Sequence, residues 1–280
     1  MREHPFLFWL TLACYNGADR EVATMYFDSH VHLNDDLLYA DLANVIAAAR
    51  EAGVVRMLCV GYDAPSSERA VTIAEAYDGV YAAVGLHPEN AHLMGEGDFE
   101  RIETLLAHPK AVAVGEIGLD RYWDKMKIDI QTDVFIRQIH LAEKHSKPIC
   151  VHMREATAET IAVLARHKSA GTRGVMHCYG GSAESAIDFI KLGMFISLGG
   201  PVTFRNARVT KEVAAKIPLD RLLIETDAPY LAPDPFRGKR NESRYVPLVA
   251  AEIARIRGVP ADEIAARTYE NALSLFGLPD

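Results

Sequence analysis

From Met25 onward the chain alternates eight times between short runs rich in β-branched residues and longer stretches of helical period. Strands are expected over Tyr26–His30, Val55–Val60, Val80–Leu86, Ala111–Ile117, Pro148–Met153, Gly174–Cys178, Met194–Leu198 and Leu222–Asp227. Between them apolar residues recur at i, i+3, i+4 spacing, as in Leu42, Val45, Ile46 and Ala49, or Phe135, Ile139 and Ala142. Later helical stretches cover Ala186–Ile190, Val209–Ala215 and Val246–Ile256, and a last helix, Ala261–Phe276, is expected to pack outside as a cap. Near-continuous apolar strands read as a parallel sheet covered by helices. At 280 residues, closure into one α/β domain, a (β/α)8 TIM-type barrel, is the economical solution. The rival is a doubly wound open sheet, but no G-x-G-x-x-G follows the first strand. No repeat, low-complexity tract or linker divides the chain.

Residues 1–24 are expected to be an N-terminal extension outside the fold, with residues 25–280 forming the barrel. The apolar run at 5–14 (PFLFWLTLAC) is too short to span a bilayer. After Arg2 it could serve as a signal-peptide core, and Leu12-Ala13-Cys14 faintly resembles a lipoprotein cleavage site. Against that, Glu3 cancels Arg2, and Met25 directly precedes a convincing first strand, which favours Met25 as the functional start. The formal charge of −8 argues against a general DNA-coating protein, whose affinity rests on many phosphate contacts. It still permits a small basic mouth. The cysteines at 14, 59, 150 and 178 form no C-x-x-C pair. Buried reduced thiols in a cytoplasmic protein, with no membrane association and a monomeric state, are the expectation.

The chemistry follows from where the histidines fall. His30 and His32 close the first strand, and i, i+2 spacing in extended chain points both imidazoles the same way. Glu116 sits near the end of the fourth strand, His152 ends the fifth, His177 the sixth and Asp227 the eighth. All six therefore fall at the carboxyl ends of strands, where barrel enzymes assemble active sites. Singly, each has an ordinary explanation, such as a core hydrogen bond, an ion pair or, for Asp227-Ala-Pro, a turn. Together they predict a metal site, and imidazole plus carboxylate suits zinc, manganese, iron or magnesium. Lys110 precedes the fourth strand and so lies at the wrong end to bridge two ions as a carbamate. Glu116 is expected to bridge two divalent ions. His30, His32 and Asp227 then serve one ion, and His152 and His177 the other. With water acidified by the ions, Asp227 is the expected general base, assisted by Glu116. The remaining histidines at 4, 92, 108, 140, 145 and 167 lie in the tail, in loops or on helices and are read as surface or supporting groups.

The ordered segments YFDSHVHL, VGLHPENA, AVGEIGLDRYWDK, KPICVHMREA, GVMHCYGGS, FISLGG, LLIETDAPYLAP, RGKRNES and NALSLFG resemble the TatD family of metal-dependent deoxyribonucleases, within the amidohydrolase-like barrels. The resemblance spans Met25 to Phe276. It implies a phosphodiesterase activated by magnesium or manganese, commonly a 3′→5′ exonuclease on single-stranded DNA or RNA, with the six ligand positions unsubstituted. The alternative within the same barrel chemistry is ester hydrolysis, deacylating D-aminoacyl-tRNA. On a nucleic acid substrate, Arg154 suits a phosphate, His87 a phosphate oxygen or leaving group, and Tyr122 and Trp123 a terminal base. Arg237, Lys239, Arg240 and Arg244 form a candidate phosphate rail beside the metal mouth. One departure is Arg154-Glu155-Ala156, where the family usually carries arginine–aspartate–alanine; Glu155 is given no role.

Overall fold

A computed structural model describes residues 24–123 and 127–280; the 1–23 portion of the N-terminal extension lies outside these residues. Eight parallel strands form one sheet in sequence order: β1 (Tyr26–Val31), β2 (Val54–Val60), β3 (Val80–Val84), β4 (Ala111–Asp120), β5 (Ile149–Arg154), β6 (Gly174–Met176), β7 (Met194–Leu198) and β8 (Leu222–Ile224). The helices are α1 (Asp36–Tyr39), α2 (Leu42–Glu51), α3 (Ala64–Ala76), α4 (Glu96–Leu106), α5 (Ile128–Lys144), α6 (Thr157–His167), α7 (Ala183–Lys191), α8 (Arg208–Lys216), α9 (Val246–Arg257) and α10 (Ala261–Phe276). This is the (β/α)8 barrel that the alternation predicts, with both faces of the sheet covered.

Three strands, β3, β6 and β8, end two or three residues earlier than the sequence suggests, while β1 and β5 run one residue further and β4 three. β6 stops at Met176 and β8 at Ile224, because Cys178 and Asp227 take left-handed backbone (φ 42° and 56°) that leaves the extended region. His177 and Asp227 therefore project from the turns just past their strands. β4 instead continues through Gly118 and Asp120, which pair with His152 and Arg154 of β5, so Glu116 lies within the strand. Gly118 has φ +143° and a Cβ there would sit 2.0 Å from the His152 carbonyl oxygen, so glycine is required for β4 to run this close to β5.

The barrel closes between β1 and β8 through few contacts. Val31 bridges Ala228, the Asp227 N–H donates to the His30 carbonyl at 2.9 Å, and the His32 N–H donates to the Ala228 carbonyl at 2.8 Å. Below, the buried Asp28 carboxylate accepts the Thr226 N–H at 2.9 Å and the Thr226 hydroxyl at 2.6 Å.

The lower interior is apolar. Phe27, Leu58, Ala83, Ala113, Cys150, Val175, Phe195 and Leu223, one from each strand, form a cluster with Tyr269, Ala272, Leu273, Leu275 and Phe276 of α10. The Phe27 ring stacks on Phe276 at 5.8 Å and tilts against Tyr269 at 6.4 Å. Rather than packing on the outer wall, the last helix seals the floor of the barrel.

Burial pushes the Asp28 carboxyl from its ordinary 3.8 up to about 7, against the hydrogen bonds from Thr226. The folded chain thus holds this proton more tightly than the unfolded chain, and Asp28's contribution to stability falls as pH rises from about 4 through about 7. In urea unfolding series, the stability of Asp28→Asn relative to wild type is expected to improve across that window and level off above it.

Candidate metal centre

Glu116 stands at the middle of a ring of imidazoles. Its Oε1 lies 2.7 Å from His177 Nε2 and 2.9 Å from His152 Nδ1; its Oε2 lies 3.5 Å from His30 Nε2 and 3.7 Å from His32 Nε2. Asp227 Oδ1 closes the second pair, 3.5 Å from His32 Nε2 and 3.8 Å from His30 Nε2. The nitrogens also face one another, 3.3 Å apart in His30–His32 and again in His152–His177. The structure thus brings together all six residues picked out on strand ends. His30, His32 and Asp227 form one group able to hold a metal ion, and His30, Glu116 and His177 another. A set of imidazole nitrogens and carboxylate oxygens, without thiolate, suits divalent cations.

What surrounds the ring fixes which nitrogens are free. His32 Nδ1 lies 2.9 Å from the Val60 carbonyl oxygen. A carbonyl only accepts, so Nδ1 carries the proton and Nε2 keeps its lone pair for a cation. His152 Nε2 lies 2.8 Å from Asp120 Oδ2, leaving Nδ1 to point at Glu116. His177 Nδ1 faces Glu225 Oε1 at 3.6 Å, and that same oxygen accepts the Cys178 N–H at 2.5 Å. His87 differs. Its Nδ1 accepts the Glu89 N–H at 3.2 Å, so in the neutral ring the proton is on Nε2, 3.5 Å from Glu116 Oε1. Although His87, Glu116 and His152 also cluster closely, this tautomer makes His87 a hydrogen-bond donor to the site and not a ligand.

Asp120 and Glu225 carry no role in the sequence reading, yet both are buried against ligand imidazoles. Asp120 has a signal in period two, following Glu116 by four residues along β4; Glu225 lies past the end of β8, where strand periodicity gives none.

Charge in the ring is tightly balanced. Burial raises the Glu116 carboxyl, but the charges of His177 and His87 and the hydrogen bonds from His152 and His177 outweigh it and hold Glu116 well below its usual range. Burial lowers His177, yet Glu116 beside it lifts it well above 6.5. His152 is also raised, its burial outweighed by hydrogen bonds to Asp120 and Glu116. His30 is lowered by burial and the charge of His177, and His87 by burial. Cations binding at His152 and His177 must displace protons that these raised groups hold, so affinity rises with pH. Zinc titration calorimetry from pH 6 to 8 is expected to show tighter binding at each step. In buffers of differing ionisation enthalpy it should register proton release.

The ring lies at the base of a cavity of about 1000 Å³ lined by Tyr62, His87, Trp123, Arg154, Asp227 and Tyr230, among others. Arg154 and Trp123 reach it as expected. The Arg154 guanidinium lies 3.7 Å over the Tyr122 ring and 5.7 Å from the Trp123 ring. Tyr230, absent from the sequence reading, also lines the cavity and donates its hydroxyl to Asp35 at 2.8 Å. The structure does not put the basic loop on this wall. Arg237 lies over the Phe204 ring at 4.2 Å. Arg240 pairs with Glu242 at 2.7 Å and Asp41 at 3.6 Å, and Arg244 pairs with Glu242 at 3.1 Å. Lys239 is exposed outside the cavity. Local carboxylates and an aromatic ring engage these guanidiniums, and none of the four cations is among the residues lining the cavity.

Comparison with known proteins bears on the same residues. The family described as TatD related DNase matches residues 27–277. The chain is 48% identical to the metal-dependent hydrolase YabD of Bacillus subtilis over 90% of this chain and 99% of that one. It is 34% identical to a protein named 3′-5′ ssDNA/RNA exonuclease TatD from Klebsiella pneumoniae, over 90% of this chain and 98% of that one. The crystal structure of the TatD homologue YjjV from Escherichia coli K12 superposes with a TM-score of 0.87 at 34% identity, covering 92% of this chain and all of that one.

Proposed function

The chain belongs to the TatD family of metal-dependent hydrolases, and on that premise we propose that it removes nucleotides from the 3′ end of single-stranded DNA or RNA. The observation that carries this reading is the Glu116 carboxylate, whose two oxygens face two separate imidazole pairs. That arrangement would suit two divalent cations, magnesium or manganese, for which His30, His32 and Asp227 would supply one set of ligands, His152 and His177 another, and Glu116 a carboxylate oxygen to each. When bound, such cations make a water nucleophilic near neutral pH and offset the charge gathering on a phosphate.

The protein's own groups do the rest. His32, His177 and His30 outweigh burial and hold the Asp227 carboxyl low, so it stays ionised and accepts the proton of the attacking water. It then returns that proton to the leaving oxygen. The Arg154 guanidinium pairs with a non-bridging phosphate oxygen, and the His87 Nε2–H donates to the same group. Tyr122 and Trp123, already stacked against Arg154, take the terminal base. The free thiols of Cys59 and Cys150 favour a reducing compartment such as the cytoplasm.

Single-stranded DNA carrying a 5′ label is the direct test. With magnesium or manganese the expected product is a ladder shortening from the 3′ end, abolished by chelator. Asp227→Asn is expected to lower kcat/KM by about two to four orders of magnitude. Arg154→Lys should act mainly on KM, since a point charge replaces a planar fork. Intact oligonucleotide under every metal, with amino acid released from D-aminoacyl-tRNA, would replace this reading with the ester hydrolase.

A further inference from the structure

Asp120 touches both the ligand ring and the wall of the cavity. Its Oδ2 lies 2.8 Å from His152 Nε2. Its Oδ1 accepts the N–H of Tyr122 at 2.8 Å and the N–H of Trp123 at 3.2 Å. The backbone of Asp120 is itself clamped: its N–H donates to Gln131 Oε1 at 2.8 Å, and Gln131 Nε2 donates back to its carbonyl at 2.8 Å. The carboxylate is buried, whereas the two aromatic side chains it steers are about half exposed at the mouth, 48% each. One face of this carboxylate therefore reads the imidazole, and the other shapes the turn that carries Tyr122 and Trp123.

We propose that Asp120 is a positioning residue that couples cation binding at His152 to the conformation of the Tyr122–Trp123 turn. The inference rests on the reading of His152 as a metal ligand. A carboxylate acceptor on Nε2 selects the tautomer whose Nδ1 lone pair faces Glu116, as a cation there requires. A cation on Nδ1 draws electron density from the ring and makes Nε2–H a stronger donor. The shortened, strengthened bond to Oδ2 fixes the carboxylate, and Oδ1 carries that restraint to the two backbone N–H groups. The aromatic wall is thereby set for a substrate only when the ligand ring is loaded. Gln131 acts as the fixed abutment, preventing the strand end from yielding instead of the turn. Arg154, whose guanidinium lies on the Tyr122 ring, moves with the same wall.

Trp123 is a built-in reporter, because the chain holds only one other tryptophan, Trp9. In full-length Trp9→Phe protein, zinc is titrated while Trp123 emission and binding heat are followed in parallel; zinc is used because it is diamagnetic and suits imidazole and carboxylate. The expected result is an emission change whose midpoint coincides with calorimetric binding of one ion. In Asp120→Asn the side-chain oxygen can still accept from the turn, but the amide presents a donor to His152 Nε2. That ion is then expected to bind about 10- to 100-fold more weakly, and its binding should no longer alter the emission. Gln131→Ala, which leaves the carboxylate in place, should keep the affinity near wild type and reduce the emission response. The inference is overturned if emission stays flat while calorimetry records binding, or if Asp120→Asn keeps both affinity and response. Zinc binding undiminished by His152→Ala would instead overturn the metal-site reading, and this inference with it.

Discussion

The barrel of this protein closes through a handful of hydrogen bonds, and the metal-facing residues sit on that closure. Asp227 and His32 donate their backbone N–H groups across the β1–β8 seam, while their side chains point up into the ligand ring. Asp28 and Thr226 staple the same seam one layer below. Closure and site assembly are therefore one event: the register that completes the sheet also brings His30, His32 and Asp227 within reach of one another. Two of the other ligands are held by backbone bonds of their own, the Glu116 N–H donating to the Gly61 carbonyl at 2.8 Å and the His177 N–H to the Val151 carbonyl at 3.1 Å. A perturbation at the seam is expected to register at one half of the site before the other.

The second layer of side chains gives the ring its chemistry. An imidazole can offer a lone pair from only one nitrogen while the other is protonated, and its surroundings decide which. Val60 supplies a carbonyl to His32 and Asp120 a carboxylate to His152, while Glu225 faces His177. His87 is held the other way round, by a backbone N–H, and so presents a proton to the cavity. Four neighbouring histidines thus divide into ligands and a donor through contacts a few ångströms behind them. The same crowding explains why Glu116 and His177 shift in opposite directions, each stabilising the charged form of the other.

Much of this was legible before any coordinates. Alternation of pattern is a local signal repeated eight times, so strand order and the last helix, Ala261–Phe276, follow from it directly. The six ligands could be read because strand ends in a parallel barrel converge on one face. What could not be read is whatever depends on two distant segments meeting. Asp120 and Glu225 look like ordinary strand carboxylates until His152 and His177 are brought against them. Nor does the sequence show that the cations at 237, 240 and 244 meet Phe204, Asp41 and Glu242. Left-handed backbone past β6 and β8, at Cys178 and Asp227, is not announced by either residue type, and β3 and β4 also end two or three residues away from the expected positions.

The seal that α10 places under the barrel has a consequence for traffic. With Phe27, Tyr269 and Phe276 filling the lower bore, the chamber above them is closed on the side of the barrel floor. A linear polymer cannot be threaded through it, as it can through a ring; it can only be inserted tip first and withdrawn the same way. A loose end is the one part of a long strand that fits such a blind chamber without folding back on itself. On the proposed exonuclease reading, each detached piece would leave by the opening through which the remaining strand points in.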